Sequence, residues 1–433
     1  MKTKILTRLN CASETRVGLS VRDRLARALL HRTLRGLRGG RLTVVDTEGS
    51  TTFGALDTSS RLEATVHIRS ARFYRRALRG GSLGVAESYL SGDWDCDDLV
   101  ALFRLIARND AASDRLDRAS LRVGTLLARV YHRLRKNTKR GSRRNIHDHY
   151  DLGNEFFRLF LDPSLTYSCG LFVEPDCDLE RAQWHKLDRI CRKLALVPSD
   201  HVLEIGTGWG SFAIHAARHY GCRVTTTTIS RKQYQEATRR VREAGLSDRV
   251  DVLLRDYREL SGSYDKLVSI EMIEAVGAEY WDTYFRHCAR LLKPDGVMLI
   301  QGITMADRHF DRYRRSVDFI QRYVFPGSCL LSLSGMTDSL RRTGDLGLFH
   351  LEEIGPHYAT TLHHWRERFD ARLADVREMG FDESSIRLFH YYFAYCLAGF
   401  TERTIGTVQA VMAKPASRME PILPPLAERE AAA

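Results

Sequence analysis

Long apolar runs are missing from this 433-residue chain. No stretch approaches the ~18 residues that a membrane-spanning helix needs. The opening MKTKILTRLNCASETR lacks the hydrophobic segment of a signal peptide. Also missing are a C-x-x-C pair and any His/Cys cluster at metal-ligand spacing. The nine cysteines are scattered and odd in number, which predicts reduced thiols in a cytoplasmic protein without a bound metal. No G-x-x-x-x-G-K-[ST] occurs, so a nucleoside triphosphate is disfavoured. Proline is scarce, and three of the ten fall in the closing ASRMEPILPPLAEREAAA. That tail, 416–433, is expected to be disordered.

Acidic charge is short in one region only. Residues 1–150 hold 30 Lys/Arg against 15 Asp/Glu, and the remainder carries −3, so the net +12 arises in the N-terminal third. The densest part, RVYHRLRKNTKRGSRR (129–144), has eight basic residues and no acid. Such a stripe attracts polyanions, either nucleic acid or the anionic surface of a bilayer. A solvated linker helix is the plainer alternative.

What the chain does contain falls into three regions. Residues 1–140 are Arg-rich, with one β-like stretch (RLTVVDTEGSTTFG, 41–54) and mainly helical patterning. Residues 141–415 alternate strand-like and helix-like segments, the pattern of a parallel α/β sheet. HVLEI (201–205), CRVTTTTI (222–229), RVDVLL (249–254), KLVSI (266–270) and VMLIQGI (297–303) read as strands, with a turn at KPDG (293–296). The fold expected is a doubly wound α/β domain with a smaller, mainly helical N-terminal domain, its ligand at the carboxyl ends of the strands.

EIGTGWG places Gly206, Gly208 and Gly210 directly after the first of these strands. Glycines there let the backbone approach a ligand and turn sharply into a helix. A dinucleotide fold wants G-x-G-x-x-G, and the third position here is Ser211, which disfavours NAD. An acid, Glu204, followed by G-x-G-x-G resembles the S-adenosylmethionine (AdoMet) loop of Rossmann-like class I methyltransferases. One further feature is the amide of Gln301, which ends an otherwise apolar run and needs hydrogen-bond partners.

HYDLGNEFFRLFLDPSLTYSCGLF (149–172) resembles the cyclopropane-fatty-acid synthase family. The likeness continues through LEIGTGWGSFA, TTISRKQY, LLRDYREL, EMIEAVG, FIQRYVFPGSCL, HYATTLHHW and FHYYFAYCLAGF. SLGVAESYLSGDWDCDDL looks like the family's accessory domain, so residues 40 to 414 are covered. The resemblance implies transfer of the AdoMet methyl carbon to a cis double bond of an acyl chain in a membrane phospholipid. A proton then leaves the new methyl group and the ring closes, with a bound bicarbonate ion as base.

Carried over by position, the bicarbonate shell falls on Cys169 (backbone carbonyl), Glu274, Gln301, Ile303 (backbone) and Tyr358. From the residues alone, Glu274 also reads as a helix-start carboxylate, Tyr358 as a core tyrosine and Cys169 as a buried thiol. The AdoMet contacts fall on Tyr167, Ser168, Glu204, Gly206, Thr207, Gly208, Gly210, Thr228, Gln233, Asp256 and Tyr257. Thr228 stands where many methyltransferases carry a ribose-binding acid, with the Gln233 amide as its substitute. Asp256 either accepts from the adenine amino group or caps the next helix.

Better-known bacterial members carry a histidine at the Gln301 position. Glutamine keeps the hydrogen bonds and loses the titration. The product therefore stays open between a cyclopropane and, after a hydride shift, a methylene or methyl branch; the cyclopropane is favoured. Three other functions fit the sequence less well. Amine methyltransferases related to the family lack the long N-terminal region. A nucleic-acid methyltransferase would need an N-P-P-Y-type motif, which is missing, so no nucleic-acid partner is expected. A lipid-binding pseudoenzyme conflicts with the intact glycine loop and Glu274. The partners expected are unsaturated phospholipid acyl chains and an anionic membrane surface, met peripherally at the inner face of the membrane, with a homodimer also allowed.

Overall fold

The structure is a computed structural model and describes residues 19–56, 61–109, 137–138, 141, 152–174 and 176–423. The strands are β1 (Gly40–Asp46), β2 (Gly49–Ala55), β3 (Glu63–Ile68), β4 (Trp94–Cys96), β5 (His201–Ile205) and β6 (Arg223–Thr228). They continue with β7 (Val250–Leu254), β8 (Tyr264–Ile270), β9 (Leu292–Met305), β10 (Gly347–Glu353) and β11 (Ile405–Ala413).

β5 to β11 form one sheet in the order β10-β11-β9-β8-β5-β6-β7. β5 pairs in parallel with both β6 and β8, while β11 runs antiparallel to β9 and β10. The chain leaves β5 toward β6 and β7, then returns to place β8 on the other side. That reversal opens a crevice at the carboxyl ends of β5 and β8, where α/β sheets bind ligands. The five strand segments expected from sequence are all present. KPDG, expected as a turn, is instead drawn into β9, where the carbonyls of Pro294 and Gly296 accept from the Ala416 and Lys414 amides.

Burial explains the sequence of β6. Its four threonines are β-branched, which suits a strand, and each buried hydroxyl has a partner. Thr225 meets His201, Thr226 donates to Glu204, Thr227 donates to the Arg255 carbonyl and Thr228 donates to Gln233. The following helix, Arg231–Glu243, starts on Ser230, whose hydroxyl accepts from the Gln233 amide.

The N-terminal region holds helices Val21–Leu34, Arg72–Leu90 and Leu99–Ala107. It also holds more sheet than the single stretch 41–54 suggested. That stretch is the β1–β2 hairpin, and β3 and β4 complete a four-stranded sheet ordered β2-β1-β3-β4. This region packs on helix Glu383–Thr401. Arg387 donates to the carbonyls of Tyr89 and Trp94 and to Asp95, with its guanidinium 3.9 Å from the centre of the Tyr89 ring. Phe103 meets Tyr391 edge-on at 4.7 Å, and one apolar cluster runs through both regions.

The tail corrects an expectation. Residues 416–423, expected to be disordered, lie along the large sheet, with Met419 and Ile422 packed on its core. The basic run 129–144 lies outside the described residues apart from Asn137, Thr138 and Gly141. Among the described residues, no helix is long and apolar enough to cross a membrane, no disulfide forms and no group of three metal-ligating side chains assembles.

Candidate active site

A cavity of about 550 Å³ opens over the carboxyl ends of β5, β6 and β8, within the size range of small-molecule sites. One end is polar and lined by Gly206–Trp209, Thr228, Gln233 and Asp256–Arg258. The other is apolar and aromatic, walled by Ile303, Phe325, Leu362, Tyr392 and Phe400, with Phe103 and Ile106 reaching in from the N-terminal region.

At the polar end the glycines act through backbone shape. Gly206, Gly208 and Gly210 have φ of 107°, 53° and 89°, the left-handed region that side-chain-bearing residues rarely adopt. A Cβ on Gly206 would lie 3.2 Å from Met272, whereas nothing stands within 4 Å of the Cβ position of Gly208. This open cradle, with the hydrogen-bonded pair Thr228 and Gln233 beside it, fits the nucleoside of AdoMet.

Thr207 meets Thr226, and Thr226 donates to Glu204. Burial pushes the Glu204 carboxyl up to about 8, against the Thr226 hydrogen bond. Tyr167 pairs with the Tyr392 hydroxyl, and the Ser168 hydroxyl accepts from the fully buried Lys186. Tyr257 lies in the same wall, edge-on to Tyr284. Asp256 takes the capping role: its carboxylate accepts from the Arg258 amide and holds the Arg258 guanidinium.

Between the two ends, the residues expected to surround bicarbonate do come together, but around a side chain. Oε1 of Glu271 accepts from the Cys169 amide at 2.9 Å and from Gln301 Nε2 at 2.8 Å. Its Oε2 accepts from the Tyr358 hydroxyl at 2.6 Å. The Ile303 amide, also assigned to that shell, donates to Glu274 Oε1 at 2.5 Å. Cys169 contributes its N–H to this cluster. The donors expected for bicarbonate end on protein carboxylates, so the residues present do not fit that ion.

Gln301 is fully buried and satisfied. Its Oε1 accepts from Gln409 Nε2 at 3.0 Å, and Gln409 Oε1 accepts from Lys193 Nζ at 2.8 Å. Lysine can only donate, so Lys193 fixes the orientation of both amides and aims Gln301 Nε2 at Glu271.

Two carboxyls thus sit side by side under the cavity. Burial raises Glu271 above the ordinary carboxylate range, opposed by Tyr358, Cys169, Gln301 and the charge of Lys186. Burial, and then Glu271, push Glu274 up to about 8. Oε2 of Glu274 is buried with no hydrogen-bond partner, so a neutral carboxyl is favoured there.

Glu271, Lys186, Lys193 and Gln409 escaped the reading of the sequence. Glu271 had a signal: it is the first residue after β8, at the strand end where ligands bind. The lysines had none, since each reads as an exposed helix residue until its helix is docked.

A sheet in this order with a glycine cradle after β5 defines a class I AdoMet-dependent methyltransferase. The profile of the mycolic acid cyclopropane synthetase family matches residues 137–410. The chain belongs to this family and is an AdoMet-dependent methyltransferase of the cyclopropane-fatty-acyl-phospholipid synthase type.

It is 36% identical to the tuberculostearic acid methyltransferase UfaA1 of Mycobacterium tuberculosis, over 89% of this chain and 90% of that one. It is 35% identical to the cyclopropane-fatty-acyl-phospholipid synthase of Escherichia coli, over 81% and 88%. Among solved structures, the mycolic acid cyclopropane synthase CmaA1 complexed with SAH and CTAB matches with a TM-score of 0.59 and 31% identity, covering 63% of this chain and 98% of that one.

Proposed function

We propose that this enzyme adds the methyl carbon of AdoMet to a cis double bond of an unsaturated acyl chain in a membrane phospholipid, closing a cyclopropane. One observation carries the reading: a single cavity joins a polar glycine cradle to an aromatic channel, with the carboxyls of Glu271 and Glu274 in its lining. AdoMet, when bound, supplies an electrophilic methyl on a sulfonium. An alkene is a weak nucleophile, so the chain's own part is to hold the acyl segment against the cradle and to exclude water. Leu362, Tyr392 and Phe400 form that dry wall. Bicarbonate enters no step, because its expected donors are already bonded.

A methylene or methyl-branched product is the second reading, favoured by the similarity to a tuberculostearic acid methyltransferase. Both routes share the methyl transfer and differ in where the positive charge rests before the proton leaves.

Helix Val21–Leu34 supports delivery from a membrane surface. Val21, Leu25 and Leu29, spaced four apart on one face, are 81%, 64% and 45% exposed. Arg22, Arg24, Arg32 and Arg35 are exposed around them. Apolar residues ringed by arginine suit an anionic lipid interface.

Incubation with trideuteromethyl AdoMet and a monounsaturated phospholipid tests the reading. A ring product carries two deuteriums and shows upfield ring-methylene signals by deuterium NMR. Vinylic exomethylene deuterium signals would establish the second reading, and a product with all three deuteriums would exclude ring closure.

A further inference from the structure

We propose that Glu271 is a built-in base: its carboxylate fills the donor shell expected for bicarbonate and takes the proton from the methyl group newly bonded to the acyl chain. This assignment rests on the acyl-chain reading above, but on neither of its two products in particular.

The geometry is that of an anion site with its anion covalently attached. A carboxylate offers about four lone-pair sites. The Cys169 and Gln301 N–H groups take two on Oε1, and the Tyr358 hydroxyl takes one on Oε2. The site that remains is on Oε2, and Glu271 lines the cavity between cradle and channel. Lys186 stands nearby as a buried positive charge favouring the ionised form. The relay from Lys193 through Gln409 and Gln301 holds the carboxylate from behind, with no freedom for either amide to turn over.

The backbone adds an independent observation. Glu271 has φ of 49°, in the left-handed region where glycine is at ease and a Cβ is not. An outlier of this kind points to function when the surroundings over-determine it, and here three hydrogen bonds do so.

The step balances. Methyl transfer leaves a positive charge on the acyl chain. Loss of a proton from the new methyl group releases its C–H electron pair, which forms the closing C–C bond, or, once a 1,2-hydride shift has moved the charge to the methyl-bearing carbon, the double bond of the methylene product. Oε2 of Glu271 gains the proton and becomes neutral, so the charge that arrived with the methyl leaves with the proton.

The test compares wild type, Glu271→Gly and Glu271→Gln with AdoMet and monounsaturated phospholipid, in bicarbonate-depleted buffer and after bicarbonate is added. Glycine suits the backbone and leaves the three donors facing a carboxylate-sized space. Glutamine fills that space without a base. Wild-type turnover should not change with bicarbonate. Both variants should fall ~100-fold or more without it, and only Glu271→Gly should recover when it is added. Wild-type turnover that depends on bicarbonate, or Glu271→Gln activity within about tenfold of wild type, would overturn the assignment.

Thermal midpoints read the same shell without substrate. Bicarbonate should stabilise Glu271→Gly and leave wild type unmoved, and an equal shift in both would overturn the proposal. No turnover by any sample would sink the acyl-chain reading and the base with it, while the midpoints would still report which group fills the shell.

Discussion

At the β5 end of the cavity the chain presents mostly backbone, through Gly206 and Gly208, whereas at the β8 end it presents side chains, the half-buried Glu271 and the buried Glu274 and Tyr358. The difference follows from what each end must hold. A nucleoside is large and brings its own polar atoms, so a cradle cleared of side chains suffices. A proton is taken at one point, so the group receiving it must be fixed within tenths of an ångström. The glycine turn of the cradle is built from consecutive residues, and the base from Cys169, Glu271, Gln301 and Tyr358, which only the fold brings together.

Substitutions that separate the two ends sharpen this contrast. The largest effect is expected from Gly206→Val. A side chain at φ of 107°, directed at Met272, adds about 1–3 kcal/mol of strain and obstructs the cradle. AdoMet affinity should fall ~100-fold or more by calorimetry. Unchanged affinity would break the assignment of that end.

Tyr358→Phe acts at the other end and should spare AdoMet affinity. A hydrogen bond to a charged group is worth about 1.5–3 kcal/mol, so kcat should fall ~10- to 100-fold. Tyr358 lowers the Glu271 pKa, so its removal raises it. A base works only when ionised, so the acid limb of the pH–rate profile should move to higher pH.

Gln409→Leu touches neither ligand nor cavity. It removes one acceptor of Lys193, which keeps Glu352, and the donor to Gln301. A stability loss of about 1–3 kcal/mol in denaturant titration is expected, with a smaller fall in kcat than for Tyr358→Phe.

Glu274→Gln tests the neutral carboxyl. The unfolded chain releases this proton near 4.5 and the folded chain holds it to about 8. Stability from this group is therefore full below 4.5 and declines as pH rises through 8. The variant should lose that decline, its thermal midpoint gaining on wild type between pH 5 and 8.

The smallest effect on the purified enzyme is expected from the double variant Leu25→Asp, Leu29→Asp. Turnover of detergent-dispersed substrate should be unchanged, while binding to anionic vesicles weakens. Equal vesicle binding would remove this helix from membrane docking.

Much of this was legible in the residues, for reasons that differ by element. β5, β6 and β8 declared themselves by apolar or β-branched runs, and the cradle by glycine spacing, because each rests on neighbours in sequence. Gln301 was visible as a misfit, yet its partners Gln409 and Glu271 were not, since β9 meets Gln409 only through the antiparallel β11. Asp256 was legible as either a cap or an adenine contact; local geometry makes it a cap, and it also stands in the cavity wall. The donors Cys169, Gln301 and Tyr358 were legible, but not the Glu271 carboxylate on which they end, because that meeting depends on three segments distant in sequence.

The sequence by itself determined a class I methyltransferase sheet, the place of its glycine cradle and a family whose chemistry is methyl transfer, since short-range patterns specify strands, turns and backbone freedom. The tertiary structure decided what sits at the reacting centre. Burial set which carboxyl is held neutral, the pairing of β9 with β11 set the direction of two amides, and the crossover from β7 to β8 brought Glu271 to Cys169 and Tyr358. Desolvation and hydrogen-bond direction depend on neighbours distant along the chain, and those exist only once it has folded.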